Sequence, residues 1–397
     1  MPLFAPFRGL RYDPATIGLA QVIAPPYDVI EPPERNRLST RSALNSVHLE
    51  LPEADLRSGL DRYQVAARLL RAWRSDGTLV LDEHPRFYLY EMTVPSGHST
   101  LGVIGGLGLP EEDEVTDVLP HEETLPKARS DRLDLLSSTK ANLSPIWGLS
   151  LTSGLSALLE PSGDAESDVH DDDGVRHRLW LASEDRQAAI AEAVGSTPVV
   201  IADGHHRYET ARNYRRLLRE VEGSAPGGHD LVMALVVELA EDQLRVGAIH
   251  RVLSGIASTE ELVRSLSERL DVLHAGDGSD RVVGALAQAS SLALVTRDDS
   301  WLLTVRPETY EAAGSELDSS VVELALADTT VTAQHSHSWQ EAIAAVREGR
   351  AQAALLLRPP TVAQIAQWAH ARRRMPPKTT YFSPKPRTGL VFRSLED

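Results

Sequence analysis

The chain contains no cysteine, so disulfides, thiolate nucleophiles and Cys-ligated zinc or iron-sulfur centres are excluded, and any metal has to be held by oxygen and nitrogen. It has no apolar run of the ~18 residues that a membrane-spanning helix needs. Its opening, MPLFAPFRGLRY, lacks the apolar stretch of a signal peptide, so the expected setting is the cytoplasm with no membrane partner. Basic residues are in deficit. With 40 Lys and Arg against 57 Asp and Glu, the formal net charge of -17 repels polyanions and anionic lipid surfaces. Nucleic-acid binding, which depends on neutralising phosphates, is thereby disfavoured. No helix-turn-helix segment is evident, and the basic clusters RNYRRLLR and HARRR fall on expected helices as solvated faces or borders of a phosphate site. A glycine-rich phosphate cradle is also missing, because LGVIGGLGLP has several glycines but no strand-to-helix fingerprint.

What is present is an ordinary globular composition, 42% hydrophobic and 24% charged over 397 residues, enough for two or three packed units. Residues 1–54 are proline-rich with extended signals, and 55–75 carry apolar residues at helical spacing before Asp76-Gly77 ends the run. Two β-prone runs, 86–94 and 100–109, read as a hairpin. A helix is expected over 128–140 and a strand over 144–151, and the six acids of 161–174 read as a solvated loop rather than a calcium site. Strands and helices then alternate, which argues for α/β layers. LVMALVVEL and LRVGAIHRVL, joined by 240–243, read as a second hairpin, and alternation resumes after Ile256. The expected organisation is an N-terminal α/β unit over 1–110, a core over 111–255 and a C-terminal α/β unit over 256–397.

Chemistry concentrates in STPVVIADGHHRYETARNYRRLL. A short apolar run leads into Asp203-Gly204 and then an amphipathic helix, so the segment is a strand, a tight turn and a helix start. A helix N-terminus offers unpaired N–H groups and partial positive charge, and Gly204 removes the side chain that blocks close approach, which suits phosphate. Arg207 in the first turn can meet phosphate oxygens, and His205 and His206 can donate or relay protons. Asp203 can hold magnesium, orient a hydroxyl or only cap the helix.

A second candidate is VLPHEETLPKARSDRLDLL, where Glu122 and Glu123 are either helix-entry acids or a general base for a substrate hydroxyl. A third is RMPPKTTYFSPKPRTGLVF, where Lys378 and Thr379 form a cation-plus-hydroxyl cluster between prolines, either an anion site or a docked tail. His335 and His337 can share a strand face, but no partner carboxylate accompanies them. Tyr27 and Asp28 in APPYDVI read as a rigid connection.

At DGHHR the sequence resembles the ParB/sulfiredoxin-like superfamily, and within it the free-serine kinases. Over nearly its full length it resembles the uncharacterised DUF1015 family, through PFRGLRYDP, VIAPPYDVI, HEETLPKARSDRL, NLSPIWGL, IADGHHRYETA, AQAALLLRPPTVAQI and MPPKTTYFSPK. The resemblance implies a mixed α/β (α+β) fold with a ParB/sulfiredoxin-like core flanked by N- and C-terminal α/β units. It further implies Glu122, or Glu123, as base on a serine-like hydroxyl, Asp203 and His206 as catalytic partners, and Gly204, His205, His206 and Arg207 as the phosphate site. Magnesium near Asp203 and a nucleotide, ADP or ATP, as co-substrate complete the implied set. The separation of Glu122 from Asp203 is about twice that of a compact ParB-like core. The same residues suit a serine kinase, a phosphoserine phosphatase or a nucleotide hydrolase, and the superfamily also contains nucleotide-dependent DNA-binding regulators. Neither direction of transfer nor oligomeric state follows from the sequence.

Overall fold

The structure, a computed structural model, describes residues 1–111, 116–120, 128–223, 225–276, 282–284, 286, 288 and 291–397. The chain divides into two compact units, one formed by Met1–Leu244 with Pro384–Asp397 and the other by Arg245–Ser383. Both are mixed α/β.

In the first unit a nine-stranded sheet runs in the order Val118–Pro120, Val199–Asp203, Ile146–Ser150, Leu231–Glu238, Ser99–Gly108, Tyr88–Thr93, Arg176–Leu181 and Ser167–His170, with Phe4–Ala5 pairing alongside Ser99–Gly108. Strands from the expected segments 1–110 and 111–255 therefore interleave in one sheet. The reason lies in LVMALVVE: seven of its eight residues are buried, so it is a central strand covered on both faces. It lies parallel to Ile146–Ser150 on one side and antiparallel to Ser99–Gly108 on the other. Phe4 and Phe87 stack at 5.0 Å in the core below, against Gly105, where a Cβ would approach the Phe4 ring to 2.5 Å. A four-stranded sheet of Leu79–Leu81, Gly9–Tyr12, Phe392–Ser394 and Ala141–Asn142 ties the two chain termini into this unit.

The second unit is built on an antiparallel sheet in the order Leu270–Gly276, Ser300–Val305, Leu292–Thr296, Ala353–Leu356, His250–Ser254 and Thr332–Ser336, with a separate pair of Arg245–Gly247 and Tyr381–Ser383. Its core gathers Leu253, Leu266, Leu294, Leu303, Val321 and Leu355.

Four sequence expectations change. LVMALVVEL and LRVGAIHRVL do not form a hairpin: the first pairs within the large sheet, while Arg245–Gly247 pairs with Tyr381–Ser383 and His250–Ser254 with Thr332–Ser336 and Ala353–Leu356. The helix expected from 55 starts at Arg62, because Asp61 closes a reciprocal capping box with Gln64 and leaves Leu56 exposed. The proline-rich start holds the helix Pro32–Arg41, entered through prolines in its first turn, where their missing N–H costs nothing. The acidic segment is only partly a solvated loop. Ser167–His170 is a strand, and the buried Asp171 accepts from His177 Nε2 (2.8 Å) and Arg387 Nε (2.7 Å).

Candidate functional site

The segment around Asp203 folds as the strand Val199–Asp203, the single residue Gly204 and the helix His205–Glu222. The register against Ile146–Ser150 shifts between Ile201 and Asp203 and sets Asp203 opposite Trp147 at the sheet end. Gly204 holds φ 86° and ψ 26°, a left-handed conformation that favours glycine. A Cβ there would lie 3.1 Å from Arg207 Nε and 3.1 Å from Ile146 Cα. The residue therefore serves both the turn and a close approach.

Two cations grip Asp203. Its Oδ1 accepts from Lys385 Nζ at 2.8 Å and its Oδ2 from Arg207 Nη2 at 3.0 Å. Burial alone would raise the carboxyl, but the charges of Lys385 and Arg207 outweigh it and hold Asp203 well below the usual carboxylate range. Arg207 is anchored on its other side by Nη1, which donates to the Pro145 carbonyl at 2.5 Å and to Ser144 Oγ at 3.2 Å. Its Nε is buried and has no hydrogen-bond partner among the described residues.

Behind this turn lies a cavity of about 50 Å³ whose lining includes Tyr27, Glu50, Arg132, Ser144, Arg207 and Thr210. Thr210 Oγ1 is likewise buried with no partner among the described residues. The Arg132 guanidinium sits 4.2 Å from the Tyr27 ring centre and that of Arg207 6.0 Å from it. Burial pushes the Tyr27 hydroxyl up to about 12 against the opposing pull of Arg207, so it stays protonated. Arg132 in turn pairs with the buried Glu50 at 3.3 Å.

Of the sequence candidates, Asp203, Gly204, His205, His206 and Arg207 are brought together by the turn itself. His205 is buried and His206 half-buried. Glu122 and Glu123 lie outside the described residues. Lys378 and Thr379 belong to the second unit. There Thr379 Oγ1 donates to the Pro376 carbonyl at 2.7 Å and lies 2.8 Å from Ser319 Oγ. Asp203 was also a candidate for magnesium. Both of its oxygens are engaged by cations, and among the described residues no group of three or more His, Cys, Asp or Glu is placed to hold a metal.

Lys385 and Tyr27 were missed as site residues. The sequence carried a faint signal for each: Lys385 stands between two prolines in SPKPR, on a segment already marked as cationic, and Tyr27 follows a proline pair in APPYD. What joins them to Asp203 is tertiary.

These features define a mixed α/β protein with an anion-suited strand-glycine-helix turn at the end of its main sheet. The chain belongs to the DUF1015 family, described as proteins of unknown function, whose family model matches residues 4–322. No curated protein matches it. Among solved structures it is similar to a free serine kinase variant in complex with AMP, at 13% identity and a TM-score of 0.40, covering 70% of this chain and 88% of that one. It is also similar to a conserved hypothetical protein from Pyrococcus furiosus, at 12% identity and a TM-score of 0.36, covering 69% and 92%. A third is SbnI with a C-terminal truncation from Staphylococcus aureus, at 13% and 0.36, covering 70% and 84%. At these values the likenesses transfer no function. No helix among the described residues is long and apolar enough to cross a membrane.

Proposed function

We propose that the Gly204 turn binds a phosphate group and that the protein is a small-molecule phosphotransfer enzyme, acting on serine, phosphoserine or a similar hydroxylated metabolite with a nucleotide, ADP or ATP. The observation that carries this reading is the buried Arg207 Nε, which has no hydrogen-bond partner among the described residues, beside a glycine whose place a Cβ would crowd. Buried donors are ordinarily satisfied, and an orphan at a turn of this shape calls for an acceptor. The helix His205–Glu222 starts at this turn, so the partial positive charge of its N-terminus lies at the same place and favours an anion there.

Asp203 does not suit the role of base, because a base works best with a pKa near the operating pH and this carboxyl is held far lower. It positions Arg207 and Lys385 instead. For the base, the family resemblance points to Glu122. The strand Val118–Pro120 lies parallel to Val199–Asp203 with Pro120 opposite Ile201. The strand that precedes Glu122 in the sequence is thus a direct neighbour of the strand that ends at Asp203. In the forward direction the serine hydroxyl oxygen attacks the terminal phosphorus, the bond to the nucleotide oxygen breaks, and the hydroxyl proton passes to the carboxylate. Magnesium, in this reading, arrives with the nucleotide phosphates, its usual manner of binding.

The test offers serine with ADP or ATP and, separately, phosphoserine alone, each with magnesium. The expected outcome is transfer in one direction, reduced about 10²–10³-fold by Arg207→Ala, the size of effect seen on removing a key charge-stabilising donor. Glu122→Gln is expected to abolish turnover while nucleotide binding persists. Nucleotide binding with neither reaction would sink the serine reading.

A further inference from the structure

The second unit contains a cavity of about 280 Å³ lined by Tyr310, Glu316, Asp318, Ser319, Arg358 and Thr361 together with apolar Ile249, Leu317 and Leu357. That is the space of roughly nine water molecules, just under the range of pockets for drug-sized ligands. Its walls are fixed. Pro359 and Pro360 restrict one side, and Thr361 and Gln364 on another are locked in a capping box at the start of the helix Val362–His370.

The polar groups of this cavity are committed in a particular way. Arg358 donates Nε to Asp318 Oδ2 at 2.9 Å, and Nη2 to Asp318 Oδ1 at 2.6 Å and to the Tyr310 hydroxyl at 2.8 Å. Its Nη1 makes no hydrogen bond among the described residues, and the Tyr310 hydroxyl, having accepted, keeps its own proton to donate. Thr379 gives its proton to the Pro376 carbonyl, so the Ser319 hydroxyl donates to Thr379 and retains lone pairs for a further donor. The charged lining is two carboxylates, Glu316 and Asp318, against one guanidinium. An isolated anion such as phosphate meets net negative charge here. A molecule carrying both an anionic and a cationic group satisfies both sets.

We propose that this cavity binds a free α-amino acid as its zwitterion. The ligand carboxylate is received by Arg358 Nη1 and the Tyr310 hydroxyl, and its ammonium by Ser319 Oγ and the carboxylates of Asp318 and Glu316. An adjoining cavity of about 300 Å³ shares Tyr310, Glu316, Leu317 and Gln364 and adds Trp368, which offers an apolar wall for the ligand side chain. This site is independent of the phosphotransfer reading, since none of its residues belongs to the Asp203 turn.

The test is calorimetric titration of the full chain, without nucleotide, against a panel of free L-amino acids, their N-acetyl and amide forms, and inorganic phosphate. The expected result is that at least one free amino acid binds, and that its N-acetyl and amide forms each bind about tenfold or more weakly, the weight of one hydrogen bond to a charged group. Tyr310→Phe, which removes only an oxygen and leaves the Arg358–Asp318 pair, is expected to weaken the amino acid about tenfold with an unchanged thermal midpoint. Arg207→Ala is expected to leave this binding unchanged, even where it slows phosphate transfer. The proposal is overturned if no amino acid binds at millimolar concentration, if the amide binds as well as the acid, if inorganic phosphate displaces the amino acid from the Arg207→Ala protein, or if Arg207→Ala removes the binding.

Discussion

Both carboxylate oxygens of Asp203 accept from cations, and this has a consequence that acid titration reads directly. Its folded pKa lies below the ~3.9 of an unfolded aspartate, so the unfolded chain takes up the proton first. The stabilisation is complete above about pH 4 and is lost as pH falls toward the folded value. Lys385→Met removes the cation with the largest lowering effect, so the variant is expected to show a flatter loss of stability below about pH 4 than the parent, measured as urea midpoints at successive pH values. Gly204 makes a separate case. Alanine at this left-handed position costs ~1–2 kcal/mol from backbone conformation alone, and its Cβ would sit 3.1 Å from Ile146 Cα, a backbone atom that cannot swing away. Gly204→Ala is therefore expected to destabilise by at least that amount in chemical unfolding and to weaken nucleotide binding.

At the scale of elements, the strand His250–Ser254 is joined to the chain leaving Ala353–Leu356 by more than its ladder, because the Leu357 N–H donates to His250 Nδ1 at 3.1 Å. Burial first, then Arg251 and His337, push His250 down to about 4, and the ring stays neutral to accept that bond. Since an unfolded histidine titrates near ~6.5, this contribution is complete above about pH 6.5 and is lost as pH falls through about 4. The loss is expected to be on the order of 3 kcal/mol. His250→Gln, which keeps an acceptor without titrating, is expected to flatten the pH dependence over that interval relative to the parent, followed by thermal midpoints from neutral pH downward. The helices show how far local pattern reaches. The amphipathic helix expected after Asp203-Gly204 is observed as His205–Glu222, since its apolar spacing and the glycine before it are local facts. The helix Arg62–Ser75 lacks the two turns expected before it, because the capping box at Asp61 sets its start and Leu56 is left exposed.

At the scale of the whole molecule, the second unit is one uninterrupted segment, Arg245–Ser383, with its own sheet and core, while the first is closed by Pro384–Asp397 returning to it. A fragment of residues 245–383 is expected to fold alone with a single cooperative thermal transition in circular dichroism, and a broad non-cooperative melt would show that its core is incomplete. The sequence by itself determined the strand-glycine-helix turn, its run of Asp203 to Arg207, the mixed α/β class and the exclusion of cysteine chemistry. Each of these depends on residue types and periodicities within a few positions of one another. It did not determine strand partners, and so LVMALVVEL was paired with its neighbour in sequence when its buried faces required a place inside the large sheet. Nor did it determine which cation meets which acid. Lys385 reaches Asp203 across 182 residues and Arg387 reaches Asp171 across 216, and each pair turns an apparently solvated or capping acid into a buried, charge-matched one. Only the tertiary structure decides such pairs, because burying a charge is tolerated only where the fold delivers its opposite to the same place.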